Sequence, residues 1–304
     1  MATILIGGGS GLIGTRLSAM LQEAGHEVRH LSRRVRTQAS FPTFQWNIKT
    51  GDIDGQAFDG VDIVINLAGA GIADGRWTES RKQLIISSRT DSTRLLQQAI
   101  QAHGHQVKAY LAGSAIGYYG DRGNEWLKET AQPGTGFLSE STVQWEAATQ
   151  ELSETLNLPS LTVRTGIVLS TRGGALPKMM MPLKLFTSTY FGDGQQWYSW
   201  IHIDDLCRIF VRGVADDDFR GTFNGVSPNP VRNKELAATL PKAARQPALV
   251  VPAPSLALKT ALGEMSHTVL DSTRCSADKL VETGFTFQHP DLLPALTDLL
   301  ERKG

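Results

Sequence analysis

Ala2-Thr3-Ile4-Leu5-Ile6-Gly7-Gly8-Gly9-Ser10-Gly11-Leu12-Ile13-Gly14 opens the chain, and its reading decides the fold. Residues 2–6 read as a short buried strand. Leu17, Met20 and Leu21 then fall on one face of a helix that stops at Gly25. Strand, glycine-rich turn and helix in this order form the first unit of a dinucleotide-binding fold. The spacing Gly8-x-x-Gly11-x-x-Gly14 has a physical reason. A side chain at the turn would meet a pyrophosphate, and one at Gly14 would hold the helix off the strand. The free N–H groups of the helix N-terminus then point at the phosphates. A glycine triplet by itself also fits a purely structural turn; its position between strand and helix favours the nucleotide.

Working outward, Glu27-Val28-Arg29-His30-Leu31 is a second strand ending in Ser32-Arg33-Arg34. Dinucleotide folds usually carry an acid at this strand end, bonded to the adenosine ribose. Here a hydroxyl and two guanidiniums stand instead, which is what a 2′-phosphate needs. The residues therefore favour NADP over NAD, the alternative being a solvated basic loop with Arg29 and Arg36. Further strands are expected at Thr43–Trp46, Val61–Gly69 (running into small residues), Val107–Ala112 and Ser160–Val168, with helices at Leu84–Ala99 and Phe137–Leu156. Strands alternating with helices indicate an α/β fold, a Rossmann-type doubly wound parallel sheet. Beyond residue 170 proline and glycine punctuate short helices. Residues 1–175 are expected to form the nucleotide-binding domain, with a segment near 198–226 returning to it. Residues 176–304 are expected to form a smaller C-terminal substrate lobe.

Composition narrows the partners. Lys+Arg and Asp+Glu both number 30, so the zero net charge gives no global drive toward nucleic acid or a membrane surface. No run of about 18 apolar residues occurs to span a membrane. Cys207 and Cys275 are too few for a disulfide framework and read as reduced thiols. The chain enters its first strand without a signal peptide, so the cytoplasm is the expected location. A small-molecule substrate is expected, with no metal; oligomeric state is not legible.

Taken together, Gly7–Gly14, Asn66-Leu67-Ala68-Gly69, Ile72–Trp77, Ser88-Arg89, Ser114–Gly120, Trp145-Glu146, Arg164–Leu169, Trp200–Leu206 and Phe223–Asn233 resemble the extended short-chain dehydrogenase/reductase superfamily. The nearest resemblance is to the NAD(P)-dependent epimerase/dehydratase-like branch described as epimerase family proteins. It implies NADP as cofactor. Gly8, Ser10, Gly11, Leu12 and Ile13 fall on that family's pyrophosphate loop, and Ser32 and Arg33 on its 2′-phosphate site. Leu67, Ala68 and Gly69 match the segment lining the adenosine side, Arg89 a charged position on the following helix, and Val168 the passage beside the nicotinamide.

The chain departs from the superfamily at its catalytic pair. Those enzymes pair Ser with Tyr-x-x-x-Lys, where Lys lowers the Tyr pKa so that a phenolate can carry the proton. Four residues after Tyr110, Tyr118, Tyr119, Tyr190 and Tyr198 stand Ser114, Arg122, Gly123, Gly194 and His202, none of them Lys. Thr142 and Glu146 occupy the aligned positions on the helix. Ser114 at a strand end is expected to hold a substrate oxygen, and Tyr118 to serve as acid/base with Arg122 at the usual offset. His202 reads better as a satisfied buried histidine. Arg76, Lys178 and Arg232 are candidate cations for an anionic substrate. Three functions stay open: an NADP-dependent oxidoreductase or epimerase-like enzyme on a small, anionic or sugar-nucleotide substrate, a non-catalytic NADP-binding sensor or scaffold, and an interaction protein. The basic strand end argues against the last.

Overall fold

Alternation along the first strand sets up two cores at once. In β1 (Thr3–Gly7), Ile4 and Ile6 face one side of the sheet and Leu5 the other, all fully buried. Successive strand side chains point to opposite faces, so a strand apolar throughout must be covered on both. The structure, a computed structural model, describes residues 1–34 and 39–302. Arg36 lies outside the described residues.

The glycine turn leads into α1 (Leu12–Glu23), and β2 (Glu27–Ser32), β3 (Thr43–Asn47) and β4 (Asp52–Ile53) extend the sheet one way. The chain then returns to the other side of β1 as β5 (Ile63–Asn66), followed by α2 (Glu79–His103), β6 (Ala109–Ala115), the short β7 (Trp126–Leu127), α3 (Phe137–Leu156) and β8 (Ser160–Thr165). Next come β9 (Ile167–Leu169), α4 (Leu176–Met180), β10 (Thr187–Phe191), β11 (Trp197–Tyr198), β12 (Trp200–His202), α5 (Ile203–Ala215) and β13 (Gly221–Gly225). The main sheet runs β13-β8-β6-β5-β1-β2-β3-β4. Every pair in it is parallel except β3–β4. The order reverses between β1 and β5, and such a switch point opens a crevice at the strands' C-terminal ends. Helices α1 and α5 cover one face, α2 and α3 the other.

Two expectations are corrected. The strand expected over Ser160–Val168 breaks at Gly166: β8 stays in the main sheet, while β9 pairs with β12. A Cβ at Gly166 would lie 2.5 Å from the Ser199 carbonyl oxygen, so only glycine passes this crossing. Helix α2 starts five residues before Leu84, because the Thr78 hydroxyl accepts the Arg81 N–H and caps it. The segment near 198–226 supplies β13, bonded to β8, and α5. Farther on, the core containing Ile4 and Leu17 also takes in Leu236, Leu240, Leu296 and Leu299. No helix among the described residues is long and apolar enough to cross a membrane.

Candidate functional site

At the β1–α1 turn the glycines divide into two kinds. Gly8 has φ +83°, and a Cβ there would sit 2.7 Å from the Leu67 carbonyl carbon. Added Cβ atoms at Gly9 and Gly14 would lie 2.3 Å from the His30 ring and from the Gly8 oxygen respectively. These three let backbone approach backbone or ring. Gly11 is different: it is exposed, and its nearest neighbour would be the Gly8 oxygen at 3.2 Å. Its open side faces out of the protein. Gly11 is also the N-cap of α1 with no side-chain cap, so the first N–H groups of the helix stay unspent. Ser10 is exposed beside it, whereas Leu12 packs on the Gly173–Gly174 loop and Ile13 against the core.

Next to this turn, β2 ends with Ser32 half-buried and Arg33 and Arg34 exposed. The Arg34 N–H donates to Ser32 Oγ at 3.4 Å, and among the described residues neither guanidinium has an acid partner. Arg29, by contrast, is spent on Glu27 and the Asp59 carbonyl. Beneath them His30 meets Ser18 Oγ at 2.7 Å, and desolvation lowers its pKa, keeping this floor uncharged.

The end of β5 brings up Leu67, Ala68 and Gly69. Asn66, fully buried, accepts the Ala68 N–H at 3.1 Å and donates to Ser92 and Thr93, which fixes the backbone path. Arg89 lies against Gly69, where a Cβ would come within 2.9 Å of its Cζ. Among the described residues its guanidinium donates only to the Ile85 and Ala70 carbonyls, and it covers the Trp145 ring. Desolvation, then Arg81, pulls its pKa down to about 10, so it remains a cation at neutral pH. Val168 is half-buried on β9, and its carbonyl lies against Gly174 opposite Leu12.

Where a Tyr–Lys pair is missing, a buried polar network stands. Ser114 Oγ lies 2.5 Å from Glu146 Oε1, and Arg164 grips both Glu146 oxygens at 2.8 Å. Arg164 Nη1 also donates to the Tyr119 hydroxyl (2.9 Å) and the Glu129 carbonyl (3.1 Å). Tyr119 in turn donates to Asn224 Oδ1 at 2.7 Å. Burial pushes the Tyr119 phenol up, so it is a neutral donor. The Arg164 pKa is raised: desolvation opposes the charge, but Glu146 overcomes it. Thr142, in the Tyr position, donates to its own helix at the Leu138 carbonyl.

The expected partnership of Tyr118 with Arg122 is corrected. Arg122 is taken by Glu125 and the Gln132 carbonyl, and the cation on Tyr118 is Arg164, whose Cζ lies 3.5 Å from the ring centroid. Tyr118 is half-buried, its ring against the Arg164 guanidinium that grips Glu146, the partner of Ser114. The sequence reading missed the Glu146–Arg164 pair. The available signal was two opposite charges at apolar-flanked positions of a helix and a buried strand, which have to be paired once folded.

His202 lies elsewhere and is structural. Its Nδ1 accepts the Asp204 N–H, capping α5, its Nε2 lies 3.2 Å from Asp298, and its ring stacks on His289. Desolvation and then His289 lower its pKa to about 4. With His289 and Asp298 it makes a group of metal-ligating types, but because Nδ1 accepts a backbone N–H, the neutral ring carries its proton on Nε2 and offers no lone pair to an ion. Arg76 donates to the Ala261 carbonyl and Arg232 to Asn124; Lys178 is exposed.

A doubly wound sheet with a glycine turn at its switch point defines a dinucleotide-binding protein of the short-chain dehydrogenase/reductase type. Residues 4–224 match the NAD dependent epimerase/dehydratase family, to which the chain belongs, and residues 253–299 match DUF1731, a domain of unknown function. An epimerase family protein of Staphylococcus saprophyticus is 37% identical, over 99% of this chain and 100% of its own. One of Bacillus subtilis is 35% identical, over 98% and 97%. The human epimerase family protein SDR39U1 (isoform 2), solved with NADPH, superposes with TM-score 0.87 at 29% identity, covering 98% of this chain and 99% of that one. UDP-N-acetylglucosamine 4-epimerase from Bacillus cereus, at 15% identity and TM-score 0.79 over 99% of both chains, shares the fold alone.

Proposed function

We propose that this chain binds NADP(H) and works as an oxidoreductase or epimerase-like enzyme on a small, anionic or sugar-nucleotide molecule. The observation that carries the cofactor reading is the pair Arg33–Arg34, exposed and without an acid partner among the described residues, beside an uncapped helix N-terminus. Gly8, Ser10, Gly11, Leu12 and Ile13 surround the pyrophosphate, Ser32, Arg33 and Arg34 take the 2′-phosphate, and Leu67, Ala68, Gly69, Arg89 and Val168 line the rest. Bound nicotinamide supplies hydride chemistry. Tyr118 holds or releases the proton, with Arg164 laying on its face the positive charge that a lysine would bring. Ser114 orients the reacting group. Residues 1–175 and the returning segment near 198–226 carry the nucleotide, residues 176–304 the substrate side. The buried free thiols of Cys207 and Cys275 fit a cytoplasmic location.

One observation favours a second reading, a non-catalytic NADP sensor or scaffold: the network of Ser114, Glu146, Arg164 and Tyr119 is closed on itself. Following NADPH absorbance against a panel of carbonyls and sugar nucleotides separates the two. The enzyme reading predicts turnover that Tyr118→Phe cuts by about 10²–10⁴-fold, with NADPH affinity kept. Turnover untouched by that change sinks the role of Tyr118. No hydride exchange with any compound supports the sensor.

A further inference from the structure

We propose that the corner formed by residues 178–186 and 242–250 docks on a membrane surface that carries anionic lipids. This stands apart from the nucleotide reading and does not depend on it. Met181, Leu185, Phe186 and Leu249 are between 61% and 78% exposed. Backbone and side-chain bonds hold the two segments side by side. The Phe186 carbonyl accepts the Leu249 N–H at 2.8 Å, and Gln246 Nε2 donates to the Leu183 carbonyl at 2.6 Å. Apolar side chains this exposed stand out from the surface, and a cluster of them marks a contact with something else.

Phe186 carries the argument furthest. It closes the turn Met181–Leu185 with its N–H on the Leu183 carbonyl at 2.9 Å, and its φ is +54°. That left-handed position is where a chain normally sets glycine, and a bulky residue in it is strained. The ring is 61% exposed, so little burial within the fold offsets the strain. What offsets it lies outside the chain. Arg245, at φ +51° and fully out in solvent, is a second non-glycine residue of this kind in the same corner.

Charge selects the occupant. The zero net charge of the chain hides a local excess: neither Thr155 to Gly192 nor Leu236 to Gly263 contains an Asp or Glu. Lys178, Lys184 and Lys242 are exposed, and among the described residues none has an acid partner. Glu301 reaches the corner from α10 (Leu292–Glu301) but is taken by Arg245 at 2.8 Å. An apolar tip ringed by cations suits the lipid interface, with the tip among acyl chains and the ammonium groups at anionic headgroups. A second copy of the chain fits less well. A twofold pair sets one patch on the same patch of its partner, so lysines would meet lysines.

The test is flotation of the full chain with vesicles of phosphatidylglycerol and, separately, of phosphatidylcholine. Partitioning onto phosphatidylglycerol should be stronger by about tenfold or more. Salt at about 1 M, where charges are screened within about 3 Å, should release most of it. Phe186→Gly removes the ring and relieves the backbone, so partitioning should fall about tenfold while the melting temperature holds or rises. Lys184→Glu, on an exposed side chain, should also cost about tenfold with the melting temperature kept. A chain that floats with neither vesicle, or equally with both, overturns the proposal, and so does binding that neither substitution weakens. If a chain that does not float elutes as a dimer which Phe186→Gly splits, the occupant is a second copy and the lipid assignment is wrong.

Discussion

The two halves of the crevice use opposite strategies. Over β1 and β2 the protein leaves its donors unspent: α1 starts without a side-chain cap, Gly11 is bare and exposed, and Arg33 and Arg34 have no acid beside them among the described residues. Over β6 and β8 nearly every polar atom is used internally, from Ser114 through Glu146 and Arg164 to Tyr119 and Asn224. Unspent donors on a surface cost little while water serves them, and they are ready for an anion. Buried charges have no such option and must be paired. The first half is therefore written in what is left out of the sequence, the second in partners brought together by the fold.

The sharpest break in this contrast comes at two glycines three residues apart. Gly14→Ala places a Cβ 2.3 Å from a backbone oxygen, and neither backbone segment can yield. The expected loss is above about 3 kcal/mol of stability, read as a collapse of the denaturant midpoint. Gly11→Val puts its side chain outward, so the fold should persist while NADPH no longer raises the melting temperature. If Gly11→Val is stabilised by NADPH like the parent, the phosphates do not lie at this turn.

A smaller effect concerns the stretch that joins the sheet to the C-terminal segment. His202 faces His289, Asp298, Asp204 and Asp205, and its pKa falls from the ordinary 6.5 to about 4 through desolvation and then His289. A histidine kept neutral in the folded state adds stability that is fully present above pH 6.5 and is lost as pH falls toward 4. The loss is on the order of 3 kcal/mol. Urea unfolding at pH 7 and 4.5 should show a steeper decline for the parent than for His202→Asn, which keeps an N-cap oxygen without a titrating ring. Equal declines would remove His202 from the account of acid stability.

How much of this the sequence discloses follows from the same contrast. Local signals are legible: the alternation of Ile4, Leu5 and Ile6, the glycine spacing, and helix α3, whose bounds Phe137–Leu156 agree with the periodicity. The break at Gly166 is not legible, because the obstacle is the carbonyl of Ser199, far along the chain. Glu146 and Arg164 sit 18 apart in the chain, and neither spacing nor period links a helix residue to a strand residue. The usual offset of four points to Arg122 as the cation beside Tyr118, but the chain there is a short turn, in which Arg122 goes to Glu125 and the Tyr118 ring meets Arg164.

The most direct measurement of the central claim, that the first half is built for a 2′-phosphate, is a fluorescence titration of the unmodified chain with NADPH and with NADH. The account predicts NADPH binding tighter by about tenfold or more, the worth of a charge-assisted hydrogen bond or two. Arg33→Asp, set where NAD-binding folds carry their acid, should narrow or reverse that preference. Equal affinities for the two cofactors in the unmodified chain would contradict it.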